Sequence, residues 1–175
     1  MSNLLSQDIE SLAEFLAHAL ELEVESAERY RELADNMRVH NNLEVSELFR
    51  KLAHYGDTHA AEVEQRAAGF ELPYISPWDF KWSCPEAPES PCMEDVHYMM
   101  TKCQALELAL HNEIRGRDFY AQVANGSSDP AVREAAAEMA AEEETHVNML
   151  RAWVAREACV AESRPPDLDP PHMPE

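Results

Sequence analysis

Glu23–Tyr30 reads EVESAERY, and 90 residues further on Glu113–Tyr120 reads EIRGRDFY, so one Glu-x6-Tyr spacing occurs twice. Both copies sit in patterns of helical period. At about 100° per residue, Glu23 falls in phase with Leu12, Leu16, Ala19, Ala27, Tyr30, Ala34 and Met37, and so belongs to the apolar stripe of its helix. Glu10, Glu14, Glu21, Glu25, Glu28 and Glu32 point about 100° or more away from it. A carboxylate aimed at a core is costly unless it is paired or binds a metal. One such carboxylate on each of two helices marks a metal site built inside a four-helix bundle.

Each Glu-x6-Tyr helix is followed by a helical pattern with an inward histidine, His59 in one case and His146 in the other. On the last helix Glu143 and His146 form Glu-x-x-His, in phase with Val132, Ala136, Met139, Val147, Leu150 and Val154. A spacing of three puts a carboxylate and an imidazole on one face, one turn apart, where both can bind the same metal pair. Glu142 and Glu144 diverge by about 100° to either side and read as solvated acids. His59 is in phase with Val45, Leu48, Leu52 and Val63, but the position three residues before it is Gly56, which supplies no ligand. Two groups flank this gap: Glu62, about 60° from His59, and Tyr55, about 40° away on the other side. On the third helix Arg117 lies within about 40° of Glu113. Tyr30 and Tyr120 either hydrogen-bond the inward carboxylates or pack with their hydroxyls on backbone carbonyls.

The 175 residues suit one domain with a sizeable core. With 34 Asp+Glu against 14 Lys+Arg the formal charge is −20, which argues against a grip on nucleic-acid phosphates. No run approaches the roughly 18 apolar residues of a membrane span, and the start MSNLLSQDIE has no basic region before an apolar one. A cytoplasmic protein with no membrane or nucleic-acid partner is expected. Cys84, Cys92, Cys103 and Cys159 form no C-x2-C pair, which excludes a rubredoxin-type or zinc-ribbon site. Free thiols are the expected state, with Cys103 a small core residue; Cys84 and Cys92 share a loop in which they could pair.

Only four glycines and an abundance of Ala, Leu and Glu predict long helices at about 7–37, 42–68, 95–125 and 130–160. Short links join the first to the second and the third to the fourth, making antiparallel neighbours. Between them Gly69–Asp95, with Pro73, Pro77, Pro85, Pro88 and Pro91, reads as a long crossover, its Trp78, Trp82 and Phe residues serving as packing anchors. The bundle is expected over 1–161 and a Pro-rich flexible tail over 162–175. Met37, Met99, Met139 and Met149 are assigned to core filling. His18, His40, His97, His111 and His172 are given no role.

Glu23-x6-Tyr30, His59, Glu113-x6-Tyr120 and Glu143-x-x-His146, with the long crossover, resemble the ferritin-like di-iron carboxylate proteins. They look closest to rubrerythrin-related proteins without the rubredoxin domain. The resemblance implies an all-α, ferritin-like four-helix bundle with Glu23, His59, Glu113, Glu143 and His146 as metal ligands. Two iron ions are implied, manganese or zinc being alternatives, that reduce peroxide or oxygen with electrons from a separate donor. A ferroxidase or iron carrier, or a bundle whose degraded site binds one metal or none, stays open beside it. Full-length rubrerythrins would lead one to look for a second inward Glu after Glu113, and none is present. Three carboxylates and two neutral imidazoles leave one excess positive charge on two divalent ions. That deficit calls for a hydroxide, for Glu62 as a substitute ligand, or for one weakly held metal. The position served by His59 is expected to be the weaker, and Gly56→Glu to complete it unless the new side chain meets Tyr30 or Tyr120. A homodimer sharing an apolar bundle face is expected.

Overall fold

The computed structural model describes residues 9–82, 87–91, 96–157 and 159. Four helices follow in the order α1 (Leu12–Val39), α2 (Leu43–Arg66), α3 (Lys102–Gly126) and α4 (Pro130–Arg156), and no strand occurs among the described residues. α1 packs along α2 and α3 along α4, and the two hairpins meet as an all-α bundle. Among the described residues no helix is long and apolar enough to cross a membrane.

Capping chemistry sets the helix ends. Ser11 accepts from the Glu14 N–H at 3.2 Å, so α1 begins at Leu12 and not near residue 7. Thr101 accepts from the Gln104 N–H while the Gln104 side chain accepts from the Thr101 N–H, a reciprocal pair that starts α3 at Lys102, later than the expected 95. Asp129 accepts from the Ala131 N–H at 2.8 Å ahead of Pro130, and α4 then ends at Arg156, short of 160. Between α1 and α2 the chain needs a left-handed residue, which Asn41 supplies at φ 58°. The N–H groups of Asn41 and Asn42 return to the carbonyls of Arg38 and Met37, closing the reverse turn.

The crossover is fastened to α1 through a histidine that the periodicity leaves without a role. His18 is buried; its Nδ1 donates to the Glu14 carbonyl at 2.9 Å, and its Nε2 accepts from the Lys81 N–H at 3.0 Å. The Lys81 ammonium pairs with Glu14 at 2.6 Å. Burial lowers the His18 pKa, consistent with a neutral ring that donates on one side and accepts on the other. Trp82 is buried beside it, stacked on Phe80 with ring centroids 4.5 Å apart and edge-on to Phe119. Trp82 is thus the packing anchor expected of it, whereas Trp78 is 91% exposed and anchors nothing. Met37 and Met139 fill the core as expected, but Met99 stands half exposed beside the capping turn.

Cys103 and Cys159 are joined in a disulfide, with Cα atoms 5.5 Å apart and a sequence separation of 56. The expectation of free thiols fails here because the short α3–α4 link makes the hairpin antiparallel, bringing the first turn of α3 beside the chain leaving α4. Cys84, Cys92, His172 and the 162–175 tail lie outside the described residues. Closing a loop of this length is worth about 4 kcal/mol by chain entropy. Cys159→Ser, or treatment with a reductant, should therefore lower the unfolding free energy by up to about that amount. Urea titration with and without reductant measures it, and coincident midpoints would show that the bridge contributes nothing.

Candidate metal centre

Each helix is apolar at both ends and interrupted in the middle. One core cluster gathers Phe15, Leu22, Val63, Phe119, Val132 and Met139; the other gathers Leu33, Phe49, Leu52, Leu106 and Leu150. On every helix the inward polar residue falls between these sets: Glu23 on α1, His59 on α2, Glu113 on α3, and Glu143 with His146 on α4. The four helices together bring these five residues into one polar layer, closed above and below by hydrocarbon.

Within that layer His146 Nδ1 lies 2.8 Å from Glu143 Oε2 and 3.4 Å from Glu113 Oε2. His59 Nδ1 lies 3.5 Å from Glu23 Oε2. The two imidazoles stack, centroids 4.3 Å apart and planes 12° from parallel. His59, Glu143 and His146 each offer a donor atom within 4.8 Å of the other two. Glu23 is 1% exposed and Glu143 is similarly buried. A cavity of about 220 Å³ reaches this layer from the surface between α2 and α4, with Glu62, Arg66 and Glu142 at its mouth. Glu62 is exposed there, outside the cluster, and Arg66 is paired with Glu142 at 2.5 Å.

The two glycines explain how the layer is shaped. At Gly56 an added Cβ would lie 3.0 Å from Ala27 Cβ and 3.3 Å from the Ala27 backbone. The missing carboxylate on α2 thus reflects a close crossing with α1, and Gly56→Glu meets Ala27 before it reaches Tyr30 or Tyr120. Gly116 lies one turn after Glu113, and the space over it is filled by the side chain of Glu89, whose Cδ and Cγ would sit 2.6 Å from an added Cβ. Glu89 comes from the crossover and was not foreseen. It is 3% exposed, and Glu23, Glu89 and Glu143 each offer an oxygen within 4.8 Å of the others. Helical phase says nothing about a loop residue; the available signal was an inward glycine one turn from an inward Glu. Arg117, by contrast, faces outward, its guanidinium bound to Glu144 at 2.8 Å and Asp118 at 2.7 Å.

Tyr30 accepts from the Asn112 side-chain amide at 3.2 Å, while the Tyr120 hydroxyl is buried without a hydrogen-bond partner. Burial and then the nearby charge of Glu23, Glu89 and Glu143 hold the Tyr120 phenol well above its ordinary range.

Three carboxylate oxygens of the layer, Glu23 Oε2, Glu89 Oε1 and Glu113 Oε2, are likewise buried without hydrogen bonds, the first and last meeting only a histidine. Burial raises Glu23 and pushes Glu143 up to about 8. Burial opposes protonation of His146, but the adjoining carboxylates of Glu113 and Glu143 outweigh this and raise it to about 10. Acceptors in such surplus, with only protons to neutralise them, match the donor set of hard and borderline divalent metals. The residues present fit a carboxylate–histidine metal centre.

The sequence matches the ferritin-like domain family over residues 13–159. An uncharacterized conserved protein from Magnetospirillum magnetotacticum MS-1, with a crystal structure at 2.00 Å resolution, is 44% identical. That similarity covers 83% of this chain and 95% of the other, at a TM-score of 0.64. No protein of curated function matches.

Glu143→Ala should remove most bound metal, whereas Glu144→Ala, which disturbs only surface pairs with Arg117 and Arg151, should retain it. Equal metal content of the two variants by elemental analysis would count against the centre. A metal must displace the protons that Glu143 and His146 hold up to about 8 and about 10, so fewer remain to be displaced as pH rises. Apparent affinity should therefore increase between about pH 6 and pH 8, with acid released on binding; a flat calorimetric profile would contradict it.

Proposed function

Because this chain belongs to the ferritin-like domain family, we propose that it is a non-haem di-iron carboxylate oxidoreductase related to the rubrerythrins, reducing peroxide or dioxygen in the bundle core with electrons from a separate donor. The observation that carries the reading is the buried layer in which Glu23, His59, Glu113, Glu143 and His146 converge from four helices with carboxylate oxygens left unpartnered. These five residues would hold the metal. Iron bound there would supply electrons by cycling between Fe(II) and Fe(III), two of which, with two protons, reduce hydrogen peroxide to water.

The protein's own contribution is positional. Glu143 offers an oxygen to the histidines and another contact to Glu23, so it can bridge the two halves of the layer. Hydrocarbon on both sides confines the layer's contact with solvent to the cavity between α2 and α4, which is large enough to admit peroxide. Tyr120 can orient Glu23 with its otherwise unpartnered hydroxyl.

The mouth of that cavity, where Glu62 adds a carboxylate beside the Arg66–Glu142 pair, favours one second reading: a ferroxidase or carrier through which iron enters and leaves. Anaerobic loading with Fe(II), followed by peroxide and an external reductant, separates the two. Two irons per chain and repeated turnover without loss of iron are expected. A single stoichiometric oxidation with ferric product released would favour the second reading, and failure to bind metal would remove both.

A further inference from the structure

Glu89 has no account in the five-residue centre. It sits on a proline-rich crossover, yet its carboxylate is driven between α1, α3 and α4 and surrounded by other acids. Ala87 and Ser90 on either side are fully buried. The Ser90 N–H donates to the Ala87 carbonyl at 3.0 Å, and the Ala87 N–H donates to Glu25 on α1 at 3.3 Å, so the segment is held as a tight turn with Glu89 pointing inward. The turn leaves Glu89 Oε1 without a hydrogen bond. Among the described residues its electrostatic neighbours are Glu23, Glu143 and Glu113, with no Lys or Arg among them. Placing a carboxylate among three others, with only the two histidines of the layer to offset them, is costly unless a further cation belongs there.

Room for it exists only because residue 116 is glycine. A single methyl group at that position would overlap the Glu89 side chain along its length. Structural packing alone would be served better by an apolar residue at 89 and an alanine at 116, which also favours helix by about 1 kcal/mol.

We infer that Glu89 is a metal ligand delivered by the crossover, entering through the notch left by Gly116 and binding together with Glu23 and Glu143. The inference rests on the proposed di-metal reading. It also removes that reading's charge deficit: Glu23, Glu89, Glu113 and Glu143 with two neutral imidazoles balance two divalent ions. Metal binding then fastens the crossover, since the ion cancels the repulsion that Glu89 otherwise meets.

The test uses the full chain, stripped with chelator and titrated anaerobically with Fe(II) or Co(II). Stoichiometry comes from elemental analysis, and deuterium exchange is followed in the peptide carrying 87–91. The wild type should bind two ions and gain protection in that peptide. Glu89→Gln, nearly isosteric, should bind one ion, or hold the second at least about tenfold more weakly, and gain no protection. Gly116→Ala, which keeps Glu89 but fills its notch, should weaken binding in the same way. Two ions bound by Glu89→Gln with wild-type affinity and protection would overturn the inference and leave the five-residue centre standing. A wild type that binds no metal would overturn both. Should Glu89→Gln not fold, the wild-type exchange still decides, because protection unchanged by metal would rule out ligation from the crossover.

Discussion

Carboxylates crowded into one dry layer are the constraint on which the rest of the structure depends. Glu23, Glu89 and Glu143 are almost wholly buried, Glu113 is close behind, and among the described residues two partly buried histidines are the bases that face them. Such a layer opposes folding of the metal-free chain, because each acid must keep a proton or bear its neighbours' repulsion. The two apolar clusters that sandwich it supply the opposing drive. They comprise the ends of all four helices, so the bundle is assembled by hydrocarbon at both ends and can carry an unfavourable middle.

Most of this was legible from periodicity, for a definite reason. A straight helix converts sequence spacing into angle, so Glu23, Glu113, Glu143, His59 and His146 declared their direction before any coordinate was known. The same rule turned Glu142 and Glu144 outward, where they pair with Arg66, Arg117 and Arg151. Helix ends were less legible because they depend on single hydrogen bonds: Ser11 and the Thr101–Gln104 pair shortened two helices that hydrophobic pattern alone would extend.

Periodicity was silent where contacts cross between segments of unlike geometry. His18 has an ordinary place on α1, and only the path of the crossover turns it into the acceptor for the Lys81 N–H. The Cys103–Cys159 bridge depends on which helix ends meet in space. Arg117 was about 40° from Glu113 on a wheel, but a long side chain chooses its partners by reach, and Asp118 and Glu144 lie on the outside.

The broken symmetry of the centre follows from packing. A twofold pair of hairpins would give α2 a carboxylate three residues before His59, matching Glu143 before His146. That position cannot carry one while α1 and α2 cross with Ala27 against Gly56, because even a methyl group there is at the limit of contact. Separating the hairpin to admit a side chain would loosen the Tyr30, Phe49 and Ala53 region that closes one end of the core. The other hairpin faces no such limit at Gly116, which borders the crossover and not a helix. A side chain lost from α2 for reasons of close packing can therefore be replaced only where the neighbour is a loop free to bring its own. Glu89 occupies that one place.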